Sequence, residues 1–193
     1  MALAKLNHPN IATIYDFYTQ DAVDFLVTEY IPGITLSDRL ASGPMTEKEV
    51  ARLGGQLAEG LTAAHNQQVV HRDLKPSNLR VTPDARLKIL DFGLAKLLVP
   101  AADPAQTRSV SETQGISGTL PYMPPEQLSG ESPDVRSDIY GAGTVLYEMA
   151  TGQRPFHEQL FSRLTDSIDR RGTTAERHEG ELKHLRILCT RFS

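Results

Sequence analysis

The apolar residues of this chain recur at strand period in some stretches and at helical period in others, and the order of those stretches restricts the fold more than any other feature. "IATIYDFY" (11–18) and "VDFLVTEY" (23–30) are β-rich runs separated by the polar "TQDA", which predicts a hairpin. Pro32 and Gly33 then break the chain, and "ITLSDRL" can start a short helix. "GPMTEKEV" carries a helix start, with Thr46 and Glu49 at capping-box spacing. Beyond it Val50, Leu53, Leu57, Leu61 and Ala64 recur at helical period. Gly54, Gly55 and Gly60 weaken that helix by about 1 kcal/mol each relative to alanine, so it needs close neighbours.

Further along, "NLRV" and "RLKIL" flank "TPDA" and predict a second hairpin with Pro83 and Asp84 in its turn. "DIYGAGTVLYEMA" is apolar nearly all round and reads as a buried helix. "HEQLFSRLTDSI" is amphipathic, with Leu160, Phe161, Leu164 and Ile168 on one side. Between the second hairpin and the buried helix, 99–125 is rich in Ser, Thr, Gly, Gln and Pro, a long irregular segment of the kind that is functional or disordered. A small β part followed mainly by helices is an α+β arrangement.

Composition narrows the function. A net charge of −4 leaves no basic footprint for nucleic acid. One cysteine, Cys189, excludes an internal disulfide framework and a cysteine zinc site, and points weakly to a reducing, cytoplasmic setting. No apolar run reaches the length of a membrane span. "GAG" at 141–143 lies inside a predicted helix and lacks the third glycine of a dinucleotide fingerprint; His178 and His184 lack metal-ligand spacing.

The chemistry is concentrated in "HRDLKPSN" (71–78). Phosphoryl transfer asks little covalent work of a protein and much positioning and charge neutralisation. Asp73 can orient a hydroxyl, Lys75 can reach a phosphate, and the Asn78 amide oxygen suits a hard metal ion. "DFG" at 91–93 adds the carboxylate of Asp91 just after a predicted strand. Two loops at the ends of paired strands can then face one metal-bound triphosphate.

"HRDLKPSN", "DFG" and "GTLPYMPPE" (118–126), in that order, resemble the catalytic loop, metal-binding loop and activation-segment end of a eukaryotic-like protein kinase. The match runs from about Leu6 to Phe156. Lys75, together with "LNHPNIATIYDF" and "LKILDFGLAK", resembles bacterial serine/threonine kinases in particular. The resemblance implies a kinase-like fold over 1–168, with an N-lobe remnant at 1–30, the helical C-lobe at 31–168 and a divergent tail at 169–193. It implies ATP and Mg²⁺ as cofactors and a protein serine or threonine as substrate; charge and hydropathy add the expectation of no nucleic-acid partner and no membrane segment in this chain.

The same resemblance assigns roles. Asp73 is the catalytic base or orienting carboxylate, Lys75 contacts the γ-phosphate, and Asn78 and Asp91 hold Mg²⁺. Thr119 bridges towards Asp73 and Lys75. Glu29 and Ile31 present backbone groups to adenine, with Thr28 as gatekeeper behind them. Arg80 sits where the family usually has an apolar residue under the adenine, to stack there or turn aside. His71, Phe92 and Ile14 belong to a stacked spine, and Asp138 supports the catalytic-loop backbone. Arg72 beside Asp73 implies control by activation-loop phosphorylation, at Thr113 first and Ser111 second.

Against the family pattern, the sequence carries no glycine-rich loop, strand lysine or helix glutamate before "MALAKLNHPN". The expectation is therefore a kinase by family whose isolated chain is impaired. The alternatives are an inactive fragment acting as a binding module, or a non-functional gene remnant. The tail reads as out-of-frame or replaced sequence, with Arg191 a poor substitute for the arginine that usually pairs with the glutamate at Glu126.

Overall fold

Alternation of apolar and polar residues gives two strands, β1 (Ile14–Gln20) and β2 (Val23–Thr28), paired antiparallel with Phe17 opposite Leu26 and Tyr18 opposite Phe25. The structure, a computed structural model, describes residues 6–21, 23–92 and 119–155. The register slips between Ile14 and Asp16. That bulge places residues three apart, Ile14 and Phe17, on the more buried side. On the open side Tyr18 and Phe25 stack with ring centroids 5.1 Å apart.

The second sheet has the order β3 (Ile34–Thr35), β4 (Leu79–Val81), β5 (Leu87–Ile89), antiparallel throughout. The β4–β5 hairpin is the one the sequence predicts, and Thr82 closes its turn by donating to Asp84 at 2.5 Å. Strand β3 is not foreseen by the reading of "ITLSDRL" as a helix alone. Its two residues precede α1 (Leu36–Leu40), and Thr35 ends the strand and caps the helix in a reciprocal box with Asp38. Gly33 makes the junction possible: at φ +111°, an added Cβ would lie 2.1 Å from the Val81 carbonyl oxygen.

Helix α2 (Glu47–Asn66) starts at the expected Thr46–Glu49 capping box and buries Leu53, Leu57, Gly60, Leu61 and Ala64. It packs on β5 and on α4 (Val135–Thr151), which follows the short α3 (Pro125–Leu128). Two of its glycines are explained by that packing. A Cβ on Gly54 would meet Leu146 Cδ2 at 2.8 Å, and one on Gly60 would meet Ile89 Cδ1 at 2.7 Å. Nothing in the structure explains Gly55, which has open space around it.

Helix α4 departs from the all-round burial expected of it. It buries Ser137, Asp138, Gly141, Thr144, Val145 and Met149, whereas among the described residues Ile139 stays 62% exposed and Tyr147 41%. The apolar composition of "DIYGAGTVLYEMA" therefore serves one packed face here. The predicted helix at 157–168, the phosphorylation candidates Ser111 and Thr113, most of the irregular stretch 99–125 and the tail lie outside the described residues. Among those residues, no helix is long and apolar enough to cross a membrane.

The chain leaves α2 through Gln68, held at φ 59°. That left-handed conformation costs a side chain with a Cβ roughly 1–2 kcal/mol, part of which glycine returns through its freer unfolded state. Gln68→Gly is expected to raise the unfolding free energy by about 0.5–1 kcal/mol. Denaturant midpoints of the two proteins at equal slope would show it, and a lower midpoint for the variant would refute it.

Candidate active site

The site begins where α2 hands over to the loop His71–Asn78. Asp138, one turn into α4 and 1% exposed, faces that loop. Its Oδ2 accepts the backbone N–H of His71 at 2.9 Å, and its Oδ1 accepts that of Arg72 at 2.9 Å. Arg72 bends the chain at φ 75°, so one carboxylate clamps both amides of the bend. Nε2 of His65 lies 2.7 Å from the same Oδ2. His65 is absent from the sequence-derived site. Its signal was available, since it continues the Leu57–Leu61 spacing along the buried face of α2 as a polar residue.

His71 is buried between these groups. Its Nε2 lies 2.8 Å from the Leu90 carbonyl oxygen and its Nδ1 3.3 Å from the Asp73 backbone nitrogen. These partners require a neutral ring with its proton on Nε2. Burial pushes the His71 pKa below its ordinary value, overcoming the opposing pull of the Leu90 carbonyl and of Asp138. Its ring meets Phe92 edge-on at 4.8 Å.

A sign follows for stability. The unfolded chain takes a proton on His71 near pH 6.5 that the folded chain refuses, so the unfolded state binds more protons below that value. Stability is full above about pH 6.5 and is expected to fall with decreasing pH, by at most about 1.4 kcal/mol per unit from this group. His71→Phe keeps the ring and removes that component. An unchanged slope between pH 7 and 5.5 would show that His71 does not carry it.

Beyond the bend, the four predicted catalytic side chains are brought together. Asp73 Oδ2 accepts from Lys75 Nζ at 2.8 Å and from Asn78 Nδ2 at 3.2 Å. Asn78 Nδ2 also donates to the Asp73 carbonyl at 2.8 Å. Pro76 opens a single 3₁₀ turn over Pro76–Asn78, which returns Asn78 to Asp73. From 44 residues along the chain Thr119 receives the Lys75 ammonium on Oγ1 at 2.7 Å. The other carboxylate oxygen, Asp73 Oδ1, is buried and has no hydrogen-bond partner among the described residues. A buried acceptor in that state calls for a donor from outside the described chain.

Asp91 sits beside this group because the Leu90 amide donates to the Asn78 carbonyl at 2.8 Å. Its backbone is left-handed at φ 59° and its side chain is exposed. Since the Asn78 amide nitrogen is committed to Asp73, its oxygen is left for another partner. An amide oxygen and a free carboxylate are hard donors that fit Mg²⁺. Among the described residues, no cluster of three His, Cys, Asp or Glu side chains is assembled to hold a metal.

A cleft of about 290 Å³ opens from Asp91 towards the β1–β2 hairpin. Thr28, Glu29, Ile31, Arg80 and Asp91 all line it, with Ile14 and Phe92 among the other walls. Lys75 does not; its ammonium is turned to Thr119 and Asp73. The Glu29 backbone N–H is already given to the Thr13 carbonyl at 2.8 Å, so this residue can offer the cleft its carbonyl rather than its amide.

The Glu29 side chain forms a link the sequence did not disclose. It accepts from Lys88 Nζ at 2.8 and 2.9 Å and from the Thr13 amide at 3.1 Å. Partial burial pushes its pKa up, but Lys88 and the Thr13 amide outweigh this and hold it below the ordinary carboxylate value. Lys88 thereby ties β5 to the segment after β2. Arg80 turns its Nη2 to the Gly33 carbonyl at 2.8 Å. Glu126 finds a partner close by, accepting from the Ser137 hydroxyl at 2.8 Å.

Comparison with known proteins gives the family. Residues 1–184 match the protein kinase domain family. The chain is 37% identical over 158 residues to serine/threonine-protein kinase PknB of Mycobacterium tuberculosis, covering 79% of this chain and 24% of that protein. It is 38% identical over 157 residues to a probable serine/threonine-protein kinase of Clostridium perfringens, covering 81% and 22%. Against serine/threonine-protein kinase PrkC of Bacillus subtilis the identity is 36% over 154 residues, covering 79% and 23%. The chain thus spans about a quarter of the length of the curated relatives it matches.

Proposed function

The chain belongs to the protein kinase domain family, and from that premise we propose that it carries the catalytic loop of a serine/threonine protein kinase. The reaction would move the γ-phosphate of ATP to a protein serine or threonine hydroxyl. One observation carries this reading: Asp73 Oδ1 is buried and unpartnered, while its sister oxygen is fixed by Lys75 and Asn78. That is a carboxylate with one oxygen anchored and one kept for a hydroxyl.

The residues then divide the work. Asp73 Oδ1 accepts the hydrogen bond of the incoming hydroxyl, aims its oxygen at the γ-phosphorus and takes the proton as the new O–P bond forms and ADP leaves. Lys75 sits 2.8 Å from Asp73 and 2.7 Å from Thr119, where its charge can offset that of the moving phosphoryl group. Thr119 positions that ammonium. Asn78 and Asp91 are the side chains that would hold Mg²⁺, whose contribution when bound is to neutralise phosphate charge. Thr28, the Glu29 carbonyl and Ile31 line the part of the cleft suited to a nucleobase.

The test uses the purified chain with Mg²⁺ in two measurements. Calorimetry with ADP is expected to show saturable binding that weakens when Asp91 is replaced by Asn. Incubation with labelled ATP and a mixed protein substrate is expected to place label on serine or threonine. No nucleotide binding at millimolar ADP, or label on another residue type, would sink the proposal.

A further inference from the structure

The cleft has two walls. Ala12, Thr28 and Ile31 belong to the flanks of the β1–β2 hairpin, whereas Leu90, Asp91 and Phe92 follow β5. The incoming flank is bound to β5 by backbone. The Ala12 amide donates to the Ile89 carbonyl at 2.9 Å, and the Ile89 amide donates to the Asn10 carbonyl at 2.8 Å. The outgoing flank, at Glu29, is anchored differently. Its amide reaches back across the hairpin, to the Thr13 carbonyl at 2.8 Å. Its tie to β5 is a side chain: Lys88 Nζ donates to both Glu29 carboxylate oxygens, at 2.8 and 2.9 Å.

The same ammonium donates to the Ile11 carbonyl at 3.3 Å. Three acceptors match its three protons, so it has none to spare for a ligand. It does not line the cleft either. It stands behind the cleft and joins β5, the incoming flank and the outgoing flank. An exposed ion pair would contribute little there. In this one the Lys88 side chain is only 15% exposed, and the carboxylate also accepts from the Thr13 amide at 3.1 Å. Donors on two separate segments therefore fix one carboxylate. Walls held in place before a ligand arrives spare binding the cost of ordering them. Walls that part for some of the time lower the affinity by that fraction.

We propose that Lys88 is a positioning residue of this cleft: through Glu29 it fixes the spacing of the two walls and keeps the cleft preformed for the nucleobase. It touches no ligand itself. The proposal rests on the kinase reading above and adds the device that holds the nucleotide site in shape.

The experiment uses the full chain with Lys88→Met, Lys88→Arg, Glu29→Gln and the double variant Glu29→Gln/Lys88→Met. Adenosine affinity is measured by calorimetry, and amide hydrogen exchange is followed without ligand. Adenosine carries no phosphate, so loss of the lysine charge cannot act through phosphate attraction. Lys88→Met is expected to weaken adenosine about 3–10-fold and to speed exchange at the Thr13 and Glu29 amides. The Ala12 and Ile89 amides, held by backbone alone, are expected to keep their protection. Glu29→Gln, the milder change, is expected to act in the same direction by about twofold or more. Lys88→Arg, whose guanidinium can hold both carboxylate oxygens, is expected to stay within about threefold of the parent. The double variant is expected to match Lys88→Met, because removing the stranded carboxylate does not restore the tie.

Unchanged or tighter adenosine binding in Lys88→Met overturns the proposal. Affinity restored in the double variant does so too, since the loss would then be one of charge and not of spacing. Exchange accelerated equally at Ala12 and Ile89 would make Lys88 a general brace of the fold and also overturns it. If the parent binds adenosine and every variant binds it alike, the kinase reading stands and this proposal alone falls. Failure of the parent chain to bind adenosine removes both.

Discussion

Asp73→Asn is expected to lower phosphoryl transfer by roughly 10²–10⁴-fold while changing ADP affinity less than about threefold. The substitution keeps the size of the side chain and removes its basicity. Asp73 is not among the residues that line the cleft proposed to take the nucleotide. Its Oδ2 is held by Lys75 at 2.8 Å and by Asn78 at 3.2 Å. An asparagine can keep its oxygen on those donors, which leaves its –NH₂ at the position of the buried, unpartnered Oδ1. There a donor would face the incoming hydroxyl, where the reaction needs an acceptor. The effect therefore falls on kcat, as expected of a group that acts only in the transition state. A rate within tenfold of the parent protein would mean that another group orients the hydroxyl. A matching loss in ADP affinity would mean that the substitution disturbed the cleft instead.

The parts of this site that residue chemistry alone gave were local, whereas the distant Thr119 and Asp138 were named only through the family resemblance. Asp73, Lys75 and Asn78 occupy one eight-residue string, and a proline-initiated turn is enough to gather them. Helix α2 was legible because its capping box and its stripe from Val50 to Ala64 agree with each other. What escaped was non-local and polar. His65 meets Asp138 across 73 residues, and Lys88 meets Glu29 across 59. Gln56 accepts from the Leu87 amide at 2.6 Å and from Asn10 at 3.2 Å, fastening α2 to β5 and to the segment before β1. Such pairs leave no period, because each partner alone is an ordinary polar residue on its element. Strand β3 escaped for a different reason. It is two residues long, and its existence depends on Gly33 approaching Val81 more closely than any other residue could.

Asp138→Ala is expected to destabilise the fold by about 3–5 kcal/mol, a large part of the 5–15 kcal/mol typical of a domain. The reason is the set of donors it would abandon. The amides of His71 and Arg72 each lose an acceptor at 2.9 Å, and His65 loses one at 2.7 Å. Orphaned buried donors cost about 1–3 kcal/mol each, and the three share one carboxylate, so their losses do not simply add. Arg72, at φ 75°, is held in a strained bend by that carboxylate, and Asp73 is the next residue. Release of the bend would therefore move the Asp73 carboxylate, linking a stability effect to a catalytic one. Asp138→Asn, with one acceptor oxygen left, is expected to fall between parent and alanine variant and to remain folded. Hydrogen exchange at the His71 and Arg72 amides then reads the clamp directly. Acceleration confined to this loop and its neighbours supports it; unchanged protection there, with an unfolding loss below about 1 kcal/mol, would mean the loop is held by its packing alone.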